Sequence, residues 1–159
     1  MADYTIETKG LDELIERMKM FPSKLKQIAE IGMQATLLVL WENVPPYPRP
    51  PEDSSYRRTG TLGRTLGSSE TGGKAGSAPQ TYQVRKMGSG LVEGRFGTNL
   101  GYAPYVIGDD TQAWMHKGRW WQMKNILAAA QDKINKVWNG IAQKMADFLN
   151  SSGSGLAGK

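Results

Sequence analysis

His116 is the single histidine of the chain, and Asp109 and Asp110 precede it by one short stretch. Two carboxylates and an imidazole at that spacing have the donor types for a cation or for general acid–base work. The same residues read more simply as a Gly108-Asp109-Asp110 turn leading into an aromatic loop, with His116 as one polar member. One histidine excludes a multi-histidine metal site, and the lack of cysteine excludes disulfides, thiolate ligands and a thiol nucleophile. Ser54-Ser55 and Ser68-Ser69 lie in loop-like surroundings with no organised base. The 19 glycines form neither a Gly-x-Gly-x-x-Gly turn after a strand nor a phosphate-binding loop. Asp12, Glu13 and Glu16 fit the first turn and solvated face of a helix. The expectation is a protein without catalytic residues, cofactor or metal.

The aromatic loop itself carries more information. Tyr102, Tyr105, Trp114, Trp120 and Trp121 crowd into residues 101–121, with Lys117 and Arg119 among them. Trp, Tyr and Arg are the side chains most often found at the centre of protein interfaces. Two uses compete: a partner interface, and a plug for the core where the loop meets the following helix. A third, stacking of single-stranded nucleic acid beside Lys117 and Arg119, is opposed by the interruptions at Pro104 and Gly118.

These residues need elements to hold them. Tyr4–Thr8 alternates weakly, and Leu11, Leu14, Ile15 and Met18 then recur at helical spacing. Phe21-Pro22-Ser23 breaks that pattern, with Ser23 as the expected N-cap of a second helix. Leu25, Ile28, Ile31, Ala35, Leu38 and Val39 trace its apolar face, and Val44-Pro45-Pro46 ends it. Residues 45–55 carry five of the chain's eight prolines; they form either a stiff loop or an arm that lies on a neighbouring subunit. Thr and apolar residues alternating over Tyr56–Leu66 suggest a strand, followed by a Gly/Ser-rich loop over 67–80. Thr81–Met87 and Leu91–Thr98 read as a hairpin turning at Gly88-Ser89-Gly90. Met123, Leu127, Ala130, Ile134, Val137, Ile141, Met145 and Phe148 then mark a long amphipathic helix, with 151–159 as a frayed tail.

The order of helices, strands and one long helix argues for an α+β fold, one domain over 1–150, with an antiparallel sheet packed by the helices. The opening is polar, unlike a secretory signal, and the apolar run at Ala35–Trp41 is too short to span a bilayer. Net charge is +5, and the basic residues are dispersed rather than gathered in a tail.

Four features recur in this order: Gly10-Leu11-Asp12-Glu13-Leu14, Arg58-Thr59-Gly60-Thr61-Leu62, Gly97-Thr98 with Tyr102-Ala103-Pro104-Tyr105-Val106, and the terminal amphipathic helix. Together they resemble the tail-completion family of long-tailed bacteriophages, whose members are also described as minor tail or head–tail joining (neck) proteins. The resemblance spans residues 6–150. It departs from the family at the proline-rich lead-in before Arg58 and at Ile107-Gly108-Asp109-Asp110 and the Trp/His insert after Val106.

The resemblance implies a structural virion component, made in the host bacterial cytoplasm, that forms a ring (a hexamer) and contacts other neck and tail proteins. DNA would pass through without sequence-specific binding. On that expectation the subunit or partner interface falls on Tyr47, Arg49, Arg58, Thr59, Leu62, Tyr102, Tyr105, Trp114, Arg119, Trp120 and Trp121. Arg57, Arg58, Arg64 and Lys74 are the expected lumen or interface charges. The alternative is a small nucleic-acid-binding module using the basic residues and the aromatic loop.

Overall fold

Helix α1 runs Pro22–Glu42 in a computed structural model that describes residues 19, 21–46, 48, 59–68, 78–86 and 92–153. It starts two residues earlier than an N-cap at Ser23 implies, with Phe21 at the N-cap position. Pro22 occupies the first helical position, where its fixed φ suits the helix and its missing N–H is no loss. At the other end Asn43 closes the helix, its Nδ2 donating to Val39 O at 2.6 Å. The buried stripe is Gly32, Leu37 and Trp41, rotated from the expected face, and Ile31 is exposed.

Residues Thr61–Leu66 form a short helix, α2, not the expected strand. Gly60 and Gly67 bracket it with φ of 67° each, a left-handed conformation that glycine adopts without strain. Leu62 and Leu66 lie one turn apart, and both are buried. The apolar spacing that looked like alternation is a helical i, i+4 pair.

Strands β1 (Thr81–Lys86) and β2 (Val92–Gly97) pair antiparallel as expected. The register sets Tyr82 opposite Phe96 and Val84 opposite Gly94, and this face lies on α1. Gly94 sits under Met33 and Leu37 with no room for a Cβ. Gln83, Arg85 and Arg95 on the other face are exposed, and Arg95 pairs with Glu93 at 2.9 Å. The hairpin base is tied to α2 by Gln80 N donating to Thr65 O at 2.7 Å. The turn expected at Gly88-Ser89-Gly90, the helix expected over Leu11–Met18 and the 67–80 loop beyond Ser68 and short of Ala78 lie outside the described residues.

After β2 come the five-residue helix α3 (Ala103–Ile107), a single 3₁₀ turn at Trp114–His116, and α4 (Met123–Gly153). At 31 residues, α4 is about 46 Å long. It extends three residues into the stretch expected as tail. Its buried positions are Ile126, Ala130, Ile141 and Leu149, while Leu127 faces solvent.

α1 and α4 pack antiparallel, with Phe21 edge-on to Phe148 at 5.3 Å and Lys133 Nζ donating to Asn43 Oδ1 at the far end. Two clusters of buried side chains stand out among the described residues. Leu62, Leu66, Ala103, Val106 and Ile107 form one; Trp41, Val44 and Ile126 form the other, against Tyr82 and Phe96. Leu66 and Ile126 are fully buried, and truncating such a side chain to Ala costs about 2–5 kcal/mol. The architecture is α+β. No helix among the described residues is long and apolar enough to cross a membrane.

Candidate functional site: an aromatic surface on a braced loop

The loop between α3 and α4 is held from the inside. Gln112 is buried, and its Nε2 donates to Val106 O at 2.8 Å and to Trp120 O at 3.1 Å. Both amide hydrogens are thereby used, satisfying two carbonyls that would otherwise be orphaned near the core. Ala113 N donates to Tyr105 O at 2.7 Å, and Thr111 Oγ1 donates to Pro104 O at 2.8 Å. These bonds clamp the loop onto α3.

The loop is also joined to α4. Asp109 Oδ1 accepts from Lys124 N at 2.9 Å, which places a carboxylate at the N-terminus of the longest helix. Asn125 Oδ1 takes Gln122 N at 2.7 Å. Asp109 is thus a helix cap delivered from a distant loop. Asp110 is exposed and His116 half-buried. Among the described residues, no three His, Asp or Glu side chains gather as a metal ion would require.

On the outside of this brace stand the exposed aromatics. Trp114 is 80% exposed, Tyr105 61%, Tyr102 46%, and Met115 beside Trp114 50%. Tyr102 and Tyr105 lie three residues apart at the start of α3, on the side away from buried Ala103, Val106 and Ile107. The Ala113–Tyr105 bond sets the backbone just before Trp114 beside Tyr105. Lys117 and Arg119 follow in the same loop and are exposed.

The expected interface residues therefore divide. Tyr102, Tyr105, Trp114 and Arg119 are on the surface. Thr59 is exposed, its hydroxyl 2.9 Å from that of Thr61. Leu62 is only 5% exposed and belongs to the chain's own core; its side chain cannot serve a partner without opening that core. Trp120 and Trp121 act as the plug, packed on the α2–α3 cluster with ring centroids 6.4 Å apart. Trp121 Nε1 also donates to Pro46 O at 3.3 Å. Tyr47, Arg49, Arg57, Arg58 and Lys74 lie outside the described residues. Arg64 is exposed on α2, its Nη2 3.4 Å from Thr61 Oγ1.

Sequence reasoning missed Gln112 and the capping role of Asp109. A lone Gln among aromatics carries no signal of burial, and Asp109 is far from the helix it caps. One further ionisable group is perturbed: burial, and secondarily the charge of Glu42, push the Tyr82 phenol above its ordinary value of 10.0.

No family model, curated protein or solved structure matches this chain.

Proposed function

We propose that this protein is a structural subunit of a bacteriophage neck or tail, a ring-forming tail-completion or head–tail joining protein that connects tail to head. Its work is to hold neighbours in place, and it carries out no catalysis. The observation that carries this reading is the Tyr102–Tyr105–Trp114 surface. Large aromatics are costly to leave in water, and three of them exposed on one loop and the short helix it is bonded to favour a contact role. The brace through Gln112, Thr111 and Asp109 fixes that surface in advance, so a partner does not have to order it.

A second observation supports the family resemblance. Its motif stretches come together in space: Leu62 of the Arg-Thr-Gly-Thr-Leu segment packs with Ala103 and Val106 of the Tyr-Ala-Pro-Tyr-Val segment. Residues that recur in order for a shared fold should meet in this way.

The test is the mass of the purified chain by light scattering across concentration, with and without a DNA oligonucleotide. A closed oligomer, dissociated by Trp114→Ala and indifferent to DNA, is the expected result. A monomer that binds DNA with a steep salt dependence would replace this reading with a nucleic-acid module built on Trp114, Lys117 and Arg119.

A further inference from the structure

We infer that α1 carries a second contact surface, a seam along which it pairs antiparallel with α1 of another copy of this chain. The inference goes beyond the reading above. Contacts within a ring run head to tail, whereas this one lies about a two-fold axis, so either can fail without the other.

Helix α1 holds two apolar stripes, and the fold of one chain uses the first. Met33 and Leu37 face the hairpin across Gly94, and Gly32 lies against Ile141 of α4. On the side turned away from the hairpin run Lys24, Ile28, Ile31, Ala35, Leu38 and Glu42. Their spacings alternate between four and three, which at about 100° per residue keeps them within a stripe about 80° wide. That is the a/d spacing of a coiled-coil seam. Ile31 is 52% exposed. Lys24 and Glu42 are exposed, and Ile28, Ala35 and Leu38 are half-buried, Leu38 in part against the Trp41 cluster. A single exposed isoleucine is ordinary. A helix apolar on two sides has more to cover than its own core takes.

The residues at the two ends of the stripe select the occupant and its direction. In an antiparallel pair, setting Ile31 opposite Ala35 of the second copy also sets Ile28 opposite Leu38 and Lys24 opposite Glu42, and the two-fold repeats each match. A large side chain meets a small one at the centre, which lets the helices approach closely. Opposite charges close both ends. A parallel pair would instead put Lys24 on Lys24 and Glu42 on Glu42. Lys24 Nζ meanwhile donates only along its own helix surface among the described bonds, to Gln27 Oε1 at 3.2 Å. Gln27 and Gln34 on the flank are exposed and uncharged, so they oppose neither copy. A patch that complements itself end for end is what a two-fold contact requires.

The experiment uses the full-length chain carrying Trp114→Ala, which removes the contact proposed for the ring and leaves α1 intact. Sedimentation equilibrium should show a dimer. Adding Ile31→Glu should weaken it by about tenfold or more, with the far-ultraviolet circular dichroism unchanged. Lys24→Glu and Glu42→Lys, both at exposed positions, should each weaken the homodimer several-fold. Mixing those two variants should recover a heterodimer, because every facing charge pair is then opposite. The chain has no cysteine, so crosslinking can read the register. Chains with Ile31→Cys and Ala35→Cys should form a mixed disulfide faster than either forms one with itself. A monomer at every concentration overturns the pairing. So does a dimer indifferent to Ile31→Glu and to both charge reversals, which places the contact elsewhere. Faster crosslinking of Ile31→Cys with itself makes the pair parallel and overturns the register. A loss of unfolding stability in Ile31→Glu with no change in mass assigns the seam's cover to the chain's own residues and overturns the inference. A dimer of equal mass with and without Trp114→Ala supports the α1 pair while removing the ring.

Discussion

Gly32 of α1 lies so close to Ile141 of α4 that a Cβ added there would stand 2.8 Å from Ile141 Cγ1. The obstructing atom is the inner carbon of a branched side chain buried between helices, so it cannot swing away. Gly32→Ala gains up to about 1 kcal/mol of helix propensity, but overpacking at this crossing costs more, about 1–3 kcal/mol. Denaturant unfolding should show a net loss of about 1 kcal/mol. Adding Ile141→Ala to Gly32→Ala should cost less than the two single losses summed, because the cavity and the clash relieve each other.

Asp109→Ala should lower stability by about 1 kcal/mol, the usual value of a helix N-cap. Asp109→Asn, which keeps an acceptor for Lys124 N but loses the charge, should fall between the variant and the parent. Equal stability of all three in thermal melts would show that α4 starts equally well without the loop.

The Tyr82 phenol is raised above 10.0 in the fold, first by burial and then by Glu42. The folded protein therefore keeps this proton at pH values where the unfolded chain has lost it. The stabilisation is complete below pH 10 and is lost as pH rises through the folded value. Stability measured from pH 8 upward should decline more steeply in the parent than in Tyr82→Phe, and identical alkaline profiles would remove Tyr82 as the cause.

Trp114→Ala should leave the monomer's unfolding free energy within about 0.5 kcal/mol of the parent, as for other surface changes. Gln112→Ala should destabilise by about 1–3 kcal/mol, because it strands the Val106 and Trp120 carbonyls. The contrast separates display of the aromatic surface from its support. A large loss of stability in Trp114→Ala would mean the indole serves its own fold.

The sequence makes some of these features legible and hides others. The hairpin is legible because Tyr82 and Val84 alternate with polar Gln83 and Arg85, the pattern of a sheet with one face covered. The long helix is legible from its three- and four-residue spacing, yet its buried face is not. Ile126 and Leu127 are both apolar and adjacent, and only the position of Trp41 and Val44 selects Ile126. Helix α2 misleads because Thr and Gly disfavour a helix locally; its stability comes from α3 docking on Leu62 and Leu66. In the site, the residue types of Trp114 and Trp120 are equally suggestive. Which one faces solvent is decided by where Gln112 holds the backbone, a tertiary fact with no local signature.

Trp121 and Met123 border both core clusters, touching Leu62–Ile107 on one side and Trp41–Ile126 on the other. Opening either half uncovers side chains that the other half also depends on. Backbone amides of α3 and of the C-terminal turn of α1 should therefore exchange with solvent deuterium at one common free energy, as a single cooperative unit, although they belong to separate clusters.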